Sequence, residues 1–332
     1  MKSRPATIRD VARRAKVSVA SVSRALNGHK NVRDDTRDRV LQAIDDLHYV
    51  PNAAARSLSS SQTRTLGVVL PDLHGEFFSE LIRGMDKAAS ERGYLLLLST
   101  MHADPQLAGQ AIAVMRGRVD GLAVMAPQLS RDAIDRLMPE EMPGVQVICQ
   151  PSKKRPSFII DNREGAASAT RHLLAIGRRR LAHIAGPEGN FDARERRQGF
   201  LSAIAAAGAP APLVGAGDFG EDGGARIVRD WLARGERFDG VMAANDMTAI
   251  GALEALRAHG LRVPEDVALI GFDDIPLARH LGLSTVRVPV ADIGAAAVER
   301  LVAMVTSQEA GATPEVQPLE LVLRATTQGR PH

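Results

Sequence analysis

The segment TIRDVARRAKVSVASVSRALNG, residues 7–28, decides how this chain is to be read. At helical spacing Ile8, Val11, Ala12 and Ala15 share one face, Lys16-Val17-Ser18 interrupts, and Val19, Val22, Ala25 and Leu26 form a second apolar face. The pattern predicts helix, tight turn, helix. Thr7 followed by Asp10 has the spacing of a capping box, and Ser18 is placed to cap the second helix. Two short helices crossing at a fixed turn can seat the second one in the major groove of DNA; a plain helical hairpin shows the same pattern.

Downstream, Val40, Ile44 and Leu47 predict a third amphipathic helix from about Asp34 to Leu47, with Asp34 and Asp35 complementing its dipole. Pro51 disfavours helix at Val50, and Asn52 can cap a new short one, AAARSL, that one or two turns cannot stabilise alone. Ser59-Ser60-Ser61-Gln62 reads as a flexible linker. Charge divides at the same place. Residues 1–64 hold 13 Lys and Arg against 6 Asp, whereas the rest holds 29 basic against 33 acidic residues, so a net charge of +3 conceals a basic head on a mildly acidic body. Such a head suits a phosphate backbone; a solvated basic face is the alternative.

From Leu66 strands and helices alternate. LGVVL, YLLLL, GLAVM and VQVI read as buried strands, separated by helices such as Phe77 to Glu91 and Gln106 to Arg116. The alternation then restarts: FIID, LAHIA, GVMAA and VALIGF are strands of a second unit, with helices near Gly165 to Gly177, Glu195 to Ala207, Gly223 to Arg234 and Thr248 to His259. This predicts two parallel sheets covered on both faces, whose facing strand ends form a cleft for a small ligand.

At 332 residues the chain needs two or three folding units, and 45% hydrophobic with 24% charged residues is the balance of a folded, water-soluble protein. A single cysteine, Cys149, makes no internal disulfide and suits a reducing cytosol. No apolar run reaches the roughly 18 residues of a membrane helix, and the opening MKSRPATIRDVARRAK lacks the apolar centre of a signal peptide. The expectation is a cytoplasmic protein without a membrane partner. HExxH, GxSxG, GxxxxGK[ST] and Cys/His clusters are all missing, and the adjacent carboxylates Asp273-Asp274 at a strand end point in opposite directions. Neither an enzyme nor a cofactor or metal is expected.

The run IRDVARRAKVSVASVSRALNG, continued by VRDDTRDRVLQAIDDLHYVPNAAARSL, resembles the head of the LacI/GalR family of bacterial transcription factors, and ANDMTAIGALEAL and LRVPEDVALIGFDD resemble its sensor domain. The likeness covers essentially the whole chain. It implies an all-α helix-turn-helix head over residues 1–49, a hinge helix and linker over 50–64, and an effector-binding and dimerisation domain over 65–332 with the periplasmic-binding-protein fold. That domain is expected as two doubly wound lobes, about 65–161 with 291–319 and about 162–290 with 320–332, the chain crossing near Asp161, Val290 and Glu320 and LELVLRATT returning as an edge.

The resemblance also implies site residues. On the DNA side these are Thr7, Ser18, Val19, Ala20, Ser21, Ser23, Arg24 and Asn27, with Asn52, Ala55 and Leu58 from the hinge, Leu58 being the wedge that kinks the minor groove. Arg24 can pair with guanine or phosphate, Val19 and Ala20 can touch thymine methyls, and the serines suit caps or phosphates. Family members often cap the third helix with Ser or Thr where this chain has Arg33. For the effector, Arg196, Asn245 and Asp273 are expected to contact a sugar-like ligand, Phe219 to stack on it, and Phe77 and Phe78 to cover it from the first lobe. Gln150 stands where several relatives have aspartate, and Gly75-Glu76 where they commonly have Asn-Pro.

The implied protein is a ligand-responsive regulator, a repressor of carbohydrate-utilisation genes, whose homodimer reads a palindromic operator. No heptad tail follows Thr327 to suggest a tetramer. A transport-associated sugar-binding protein would share the two lobes but predicts a signal peptide and no basic head. A regulator controlled by a partner protein would use the cleft for docking instead.

Overall fold

The computed structural model describes residues 6–26, 32–49, 62–102, 104–307 and 311–328. The chain separates between Thr63 and Arg64 into two compact units.

In the first unit, α1 (Ile8–Ala15), α2 (Val19–Leu26) and α3 (Asp34–Asp46) close on a small core of Val11, Ala12, Ala15, Val22, Val40 and Ala43. The Asp10 carboxylate accepts the Thr7 N–H at 3.0 Å and its hydroxyl at 2.7 Å, anchoring the start of α1. Lys16, at φ 54°, turns the chain left-handed, and the Val17 N–H reaches back to the Ala12 carbonyl at 3.0 Å. Ser18 Oγ then accepts the Ser21 N–H at 3.1 Å and starts α2. Arg33 gives α3 no side-chain cap, and Arg14 pairs with Asp46 at 2.6 Å across the unit. Val19, which shares the apolar spacing of α2 but is also expected to face outward, is 42% exposed and lies beyond the edge of this small core.

The second unit contains a six-stranded and a four-stranded parallel sheet. The first is built from β1 (Thr65–Leu70), β2 (Leu95–Thr100), β3 (Gly121–Val124), β4 (Gly144–Val147), β5 (Ser157–Ile160) and β11 (Pro314–Gln317), in the order β11-β5-β4-β3-β1-β2. Side chains alternate across it: Leu66, Val68 and Leu70 of β1 meet α4 (Glu76–Glu91) and α12 (Val290–Ser307), whereas Val69 faces α5 (Pro105–Ala113) and α6 (Arg131–Leu137). The second sheet has the order β7-β6-β8-β9, from β6 (Leu181–Ala185), β7 (Leu213–Ala216), β8 (Gly240–Ala243) and β9 (Ala268–Ile270). Its faces carry α7 (Asn162–Ala175) and α8 (Phe191–Ala206) on one side, and α9 (Glu221–Ala233) and α10 (Asp246–Ala258) on the other. Helices α9 and α10 approach so closely that a Cβ on Gly251 would stand 1.8 Å from the Glu221 carbonyl oxygen.

Several expectations need correction. FIID belongs to the first sheet, because β5 pairs with β4 and the chain crosses to the second lobe only after Ile160. YLLLL is not a buried strand: β2 is the sheet's edge, with Leu95, Leu97 and Leu98 exposed at 71%, 36% and 38%. An unbroken apolar run fits a buried strand and a partner-covered edge equally well, so periodicity cannot separate them. LELVLRATT supplies β12 (Glu320–Val322), which joins neither large sheet but pairs antiparallel with β10 (Thr285–Arg287). Helices α6, α11 (Pro276–Leu281) and α12 are additional to those expected.

Candidate functional site

Both large sheets reverse strand order beside their first strand, at β1/β3 and at β6/β8, and in such sheets the loops beyond the strand ends open a crevice. Here those loops meet around a cavity of about 200 Å³. Pro71 and Asp72 follow β1, Met125 to Gln128 follow β3, Ile148 follows β4, Pro187 follows β6, Asp218 and Phe219 follow β7, Asn245 follows β8 and Asp273 follows β9. Three non-glycine residues of this lining have positive φ, Ile148 at 44°, Phe219 at 70° and Asp273 at 112°. Backbone strain of that kind gathers where a fold holds side chains for use.

The floor is a buried polar cluster around Arg196, which is 4% exposed. Its Nε donates to Asn162 Oδ1 at 2.8 Å and Nη1 to the Ala244 carbonyl at 2.6 Å, while Nη2 stands 3.3 Å from Asp273 Oδ1. The guanidinium lies over the Phe272 ring at 3.8 Å, a cation–π contact that fixes its plane. Asn162 Nδ2 donates in turn to Asp192 Oδ1 at 2.7 Å. Burial pushes the Asp273 carboxyl up to about 7 and Asp192 up to about 6, more than the opposing charge of Arg196 holds them down. Asp246, behind the floor, is driven well above the carboxylate range by burial and by the charge of Asp273. Two acceptors of the lining have no hydrogen-bond partner: Asp273 Oδ1, whose approach to Arg196 is misaligned, and Gln128 Oε1 of the opposite lobe.

Asn245 caps α10, its Oδ1 accepting the Thr248 N–H at 3.0 Å, and its Nδ2 donates to the Phe219 carbonyl at 3.0 Å. Phe77 and Phe78 meet edge to face, centroids 5.4 Å apart, at the start of α4. Near the mouth, His74 faces Glu221 at 3.8 Å and Glu76 Oε2 accepts the Leu277 N–H at 2.8 Å, both across the lobes. A third bridge runs from the Phe191 N–H to the Pro127 carbonyl at 2.8 Å.

Of the residues expected to meet a ligand, Phe77, Phe78, Arg196, Phe219, Asn245 and Asp273 line this one cavity. Gln150 does not: its amide oxygen accepts the Arg131 N–H at 2.9 Å and caps α6 instead. An amide there is used by the nearest helix terminus, which competes for it locally. Residues the sequence reading missed include Asp192, Gln128, Asn190, Asp72, His74 and Asp218. Asp192 had a usable signal, since it precedes Arg196 by one helical turn and so shares its face.

In the first unit Ser18, Val19, Ala20 and Arg24 are exposed along the start and one side of α2, with Thr7, Ser21 and Ser23 half-buried beside them. The Arg24 side chain rests on its own helix, Nε donating to the Ala20 carbonyl at 3.3 Å. Asn27, Asn52, Ala55 and Leu58 lie outside the described residues.

A three-helix unit with an exposed second helix, joined to a two-lobed α/β body with a polar cavity at its strand ends, defines a helix-turn-helix regulator with a ligand sensor. Comparison with known proteins gives the same class. Residues 7–52 match the model of bacterial regulatory proteins of the lacI family, and residues 170–327 that of the periplasmic binding protein-like domain. The ribose operon repressor of Halalkalibacterium halodurans is 34% identical over 326 residues, 97% of each chain. The lac repressor dimer bound to operator and the anti-inducer ONPF superposes with a TM-score of 0.89 at 26% identity, over 98% of this chain and 99% of that one. The complex of the transcriptional regulator CelR with cellobiose gives 0.70 at 33% identity, over 97% and 99%. The chain belongs to the lacI family of bacterial regulatory proteins.

Proposed function

We propose that this protein is a homodimeric, cytoplasmic transcriptional repressor of carbohydrate-utilisation genes, whose operator affinity is set by a small sugar-like effector held between the lobes. One observation carries the reading: a single chain joins a helix-turn-helix head to a cavity of buried, paired polar groups and aromatic rings. Planar pairs such as Arg196 with Asp273 bind neighbouring hydroxyls, and Phe219 supplies a ring for the apolar face of a sugar. Nothing in the cavity is arranged as a nucleophile with its base, so its chemistry is binding rather than catalysis. Among the described residues no helix is long and apolar enough to cross a membrane.

Relatives support the reading, one being a ribose operon repressor and others being solved on operator DNA and with cellobiose. In this chain residues 1–49 read DNA, 50–64 form the hinge, and 65–332 sense the ligand and dimerise. Arg24 contacts guanine or phosphate, Val19 and Ala20 meet base edges, and Thr7, Ser18, Ser21, Ser23, Asn27 and Asn52 hold the backbone, with Ala55 and Leu58 at the minor groove. The exposed leucines of β2 form an open apolar sheet edge, and a second copy of the chain covers it. A ligand that favours one lobe arrangement tenfold contributes about 1.4 kcal/mol to the switch.

Selection of bound duplexes from a random pool tests this directly. An enriched inverted repeat, whose binding by fluorescence anisotropy changes on adding a sugar, is expected. An enriched site without two-fold symmetry, or no enrichment at low salt, overturns it.

A further inference from the structure

Resting on that reading, we infer that the effector is an uncharged, single-ring polyol, and that sugar phosphates and sugar acids are excluded from the cleft. The inference comes from what the lining has to give. Asp72, Asp192, Asp218 and Asp273 bring four carboxylates, against Arg196 and the titratable His74. Arg196 is the buried cation: its Nε and Nη1 donate to Asn162 and the Ala244 carbonyl, and its Nη2 faces the Asp273 carboxylate at 3.3 Å. His74 faces Glu221. An added phosphate or carboxylate therefore meets net negative charge, with the one arginine of the lining already facing a carboxylate.

Two helix N-termini that point here, those of α8 and α10, would ordinarily attract an anion. At each, one N–H goes to the asparagine cap at 3.0 Å and the first N–H of the helix to a carbonyl, Phe191 to Pro127 and Asp246 to Phe272, and Asp192 stands in the first turn of α8. The unmet groups are acceptors: Gln128 Oε1 from one lobe and Asp273 Oδ1 from the other. Hydroxyl groups satisfy both at once and draw the lobes together. At about 200 Å³ the space is smaller than the roughly 300–1,000 Å³ of drug-sized pockets, which suits one ring rather than two.

The test is calorimetric titration of the full-length protein with paired probes: ribose against ribose 5-phosphate, glucose against glucose 6-phosphate and gluconate, galactose against galacturonate, then cellobiose and hypoxanthine. An uncharged monosaccharide is expected to bind at least a hundredfold tighter than its own phosphate or acid. A charged member equal to or tighter than its parent overturns the inference, as does cellobiose or hypoxanthine binding tightest, or none of the monosaccharides binding.

Operator anisotropy with the same probes separates this failure from that of the wider reading: release or capture of DNA by a phosphate leaves a sensor of another ligand class, whereas no selective DNA binding removes the regulator altogether. Gln128→Leu adds a readout that a structural role would not move. Because Oε1 makes no bond in the free protein, the variant is expected to melt no lower than wild type yet bind the monosaccharide at least tenfold more weakly. Unchanged affinity would show that this acceptor does not meet the ligand.

Discussion

Replacing Asp273 by Asn is expected to make the effector-free protein more stable while weakening its response to ligand. The side chain is 5% exposed, and burial raises its pKa from 3.8 to about 7. A carboxyl with a raised folded pKa holds more protons when folded than unfolded, so stability falls as pH climbs from about 4 to about 7 and stays level above. Three pKa units at 1.36 kcal/mol each set a ceiling of about 4 kcal/mol on the cost of the charge at pH 8. Asn keeps the shape without that cost. Arg196 loses its neighbour at 3.3 Å but retains Asp192 through Asn162, so about half the gain, roughly 2 kcal/mol, should survive. For a body of this size that is a rise in Tm of about 4–8 °C.

Scanning calorimetry of both proteins at intervals from pH 4 to pH 8 measures it. The two should converge near pH 4, where both side chains are neutral, and part steadily towards pH 7, with Asp192 broadening the curve because its own pKa is raised to about 6. A variant that melts below wild type at pH 8, or a gap that does not change with pH, would refute the argument that Asp273 is held charged at a cost. On the proposed function such a residue is kept for binding: stability is given up where a ligand would later supply the missing hydrogen bonds.

Arg24→Ala should reduce operator binding at least tenfold in anisotropy, consistent with about 1–3 kcal/mol for a base contact, while ligand-induced stabilisation is unchanged; loss of both would mean the head is misassigned. Gly251→Ala forces a methyl against the Glu221 carbonyl, and a loss of about 1–3 kcal/mol is expected from overpacking; urea unfolding with no change in midpoint would show that α9 and α10 part easily. Leu95→Glu with Leu97→Glu places charge on the exposed edge of β2 and should halve the mass by light scattering at micromolar concentration without lowering Tm in proportion; an unaltered dimer would put the interface elsewhere.

Local chemistry made some features readable before any coordinates. The Thr7/Asp10 start, the Lys16 turn and the Ser18 cap are short-range hydrogen-bond patterns written in adjacent residues, and they appear as expected. Strand-helix alternation likewise identified parallel sheets. What it could not show was membership: FIID is as apolar as its neighbours whichever sheet it joins, and the crossing after Ile160 is a long-range fact. YLLLL failed for a related reason, since an apolar run does not tell a central strand from an exposed edge such as β2. In the cavity, Arg196, Asn245 and Asp273 came from the family resemblance, whereas Asp72 and Asp218, at strand ends of the same lining, carried no pattern that marked them. The role of Gln150 was not legible, because its partner is the start of a helix 19 positions away in sequence, and Gln128 carries no pattern at all until both lobes are in place.

The anchoring of Arg196 has an evolutionary consequence. Its guanidinium ties the first residue of α7 to the residue after β8 and stacks on Phe272, so altering it disturbs the scaffold as well as the cavity. Asp72, His74 and Asp218 sit on turns at the rim, where substitution leaves that foundation standing. A descendant of this protein can acquire a new ligand by rewriting the rim alone, with the lower storey inherited intact.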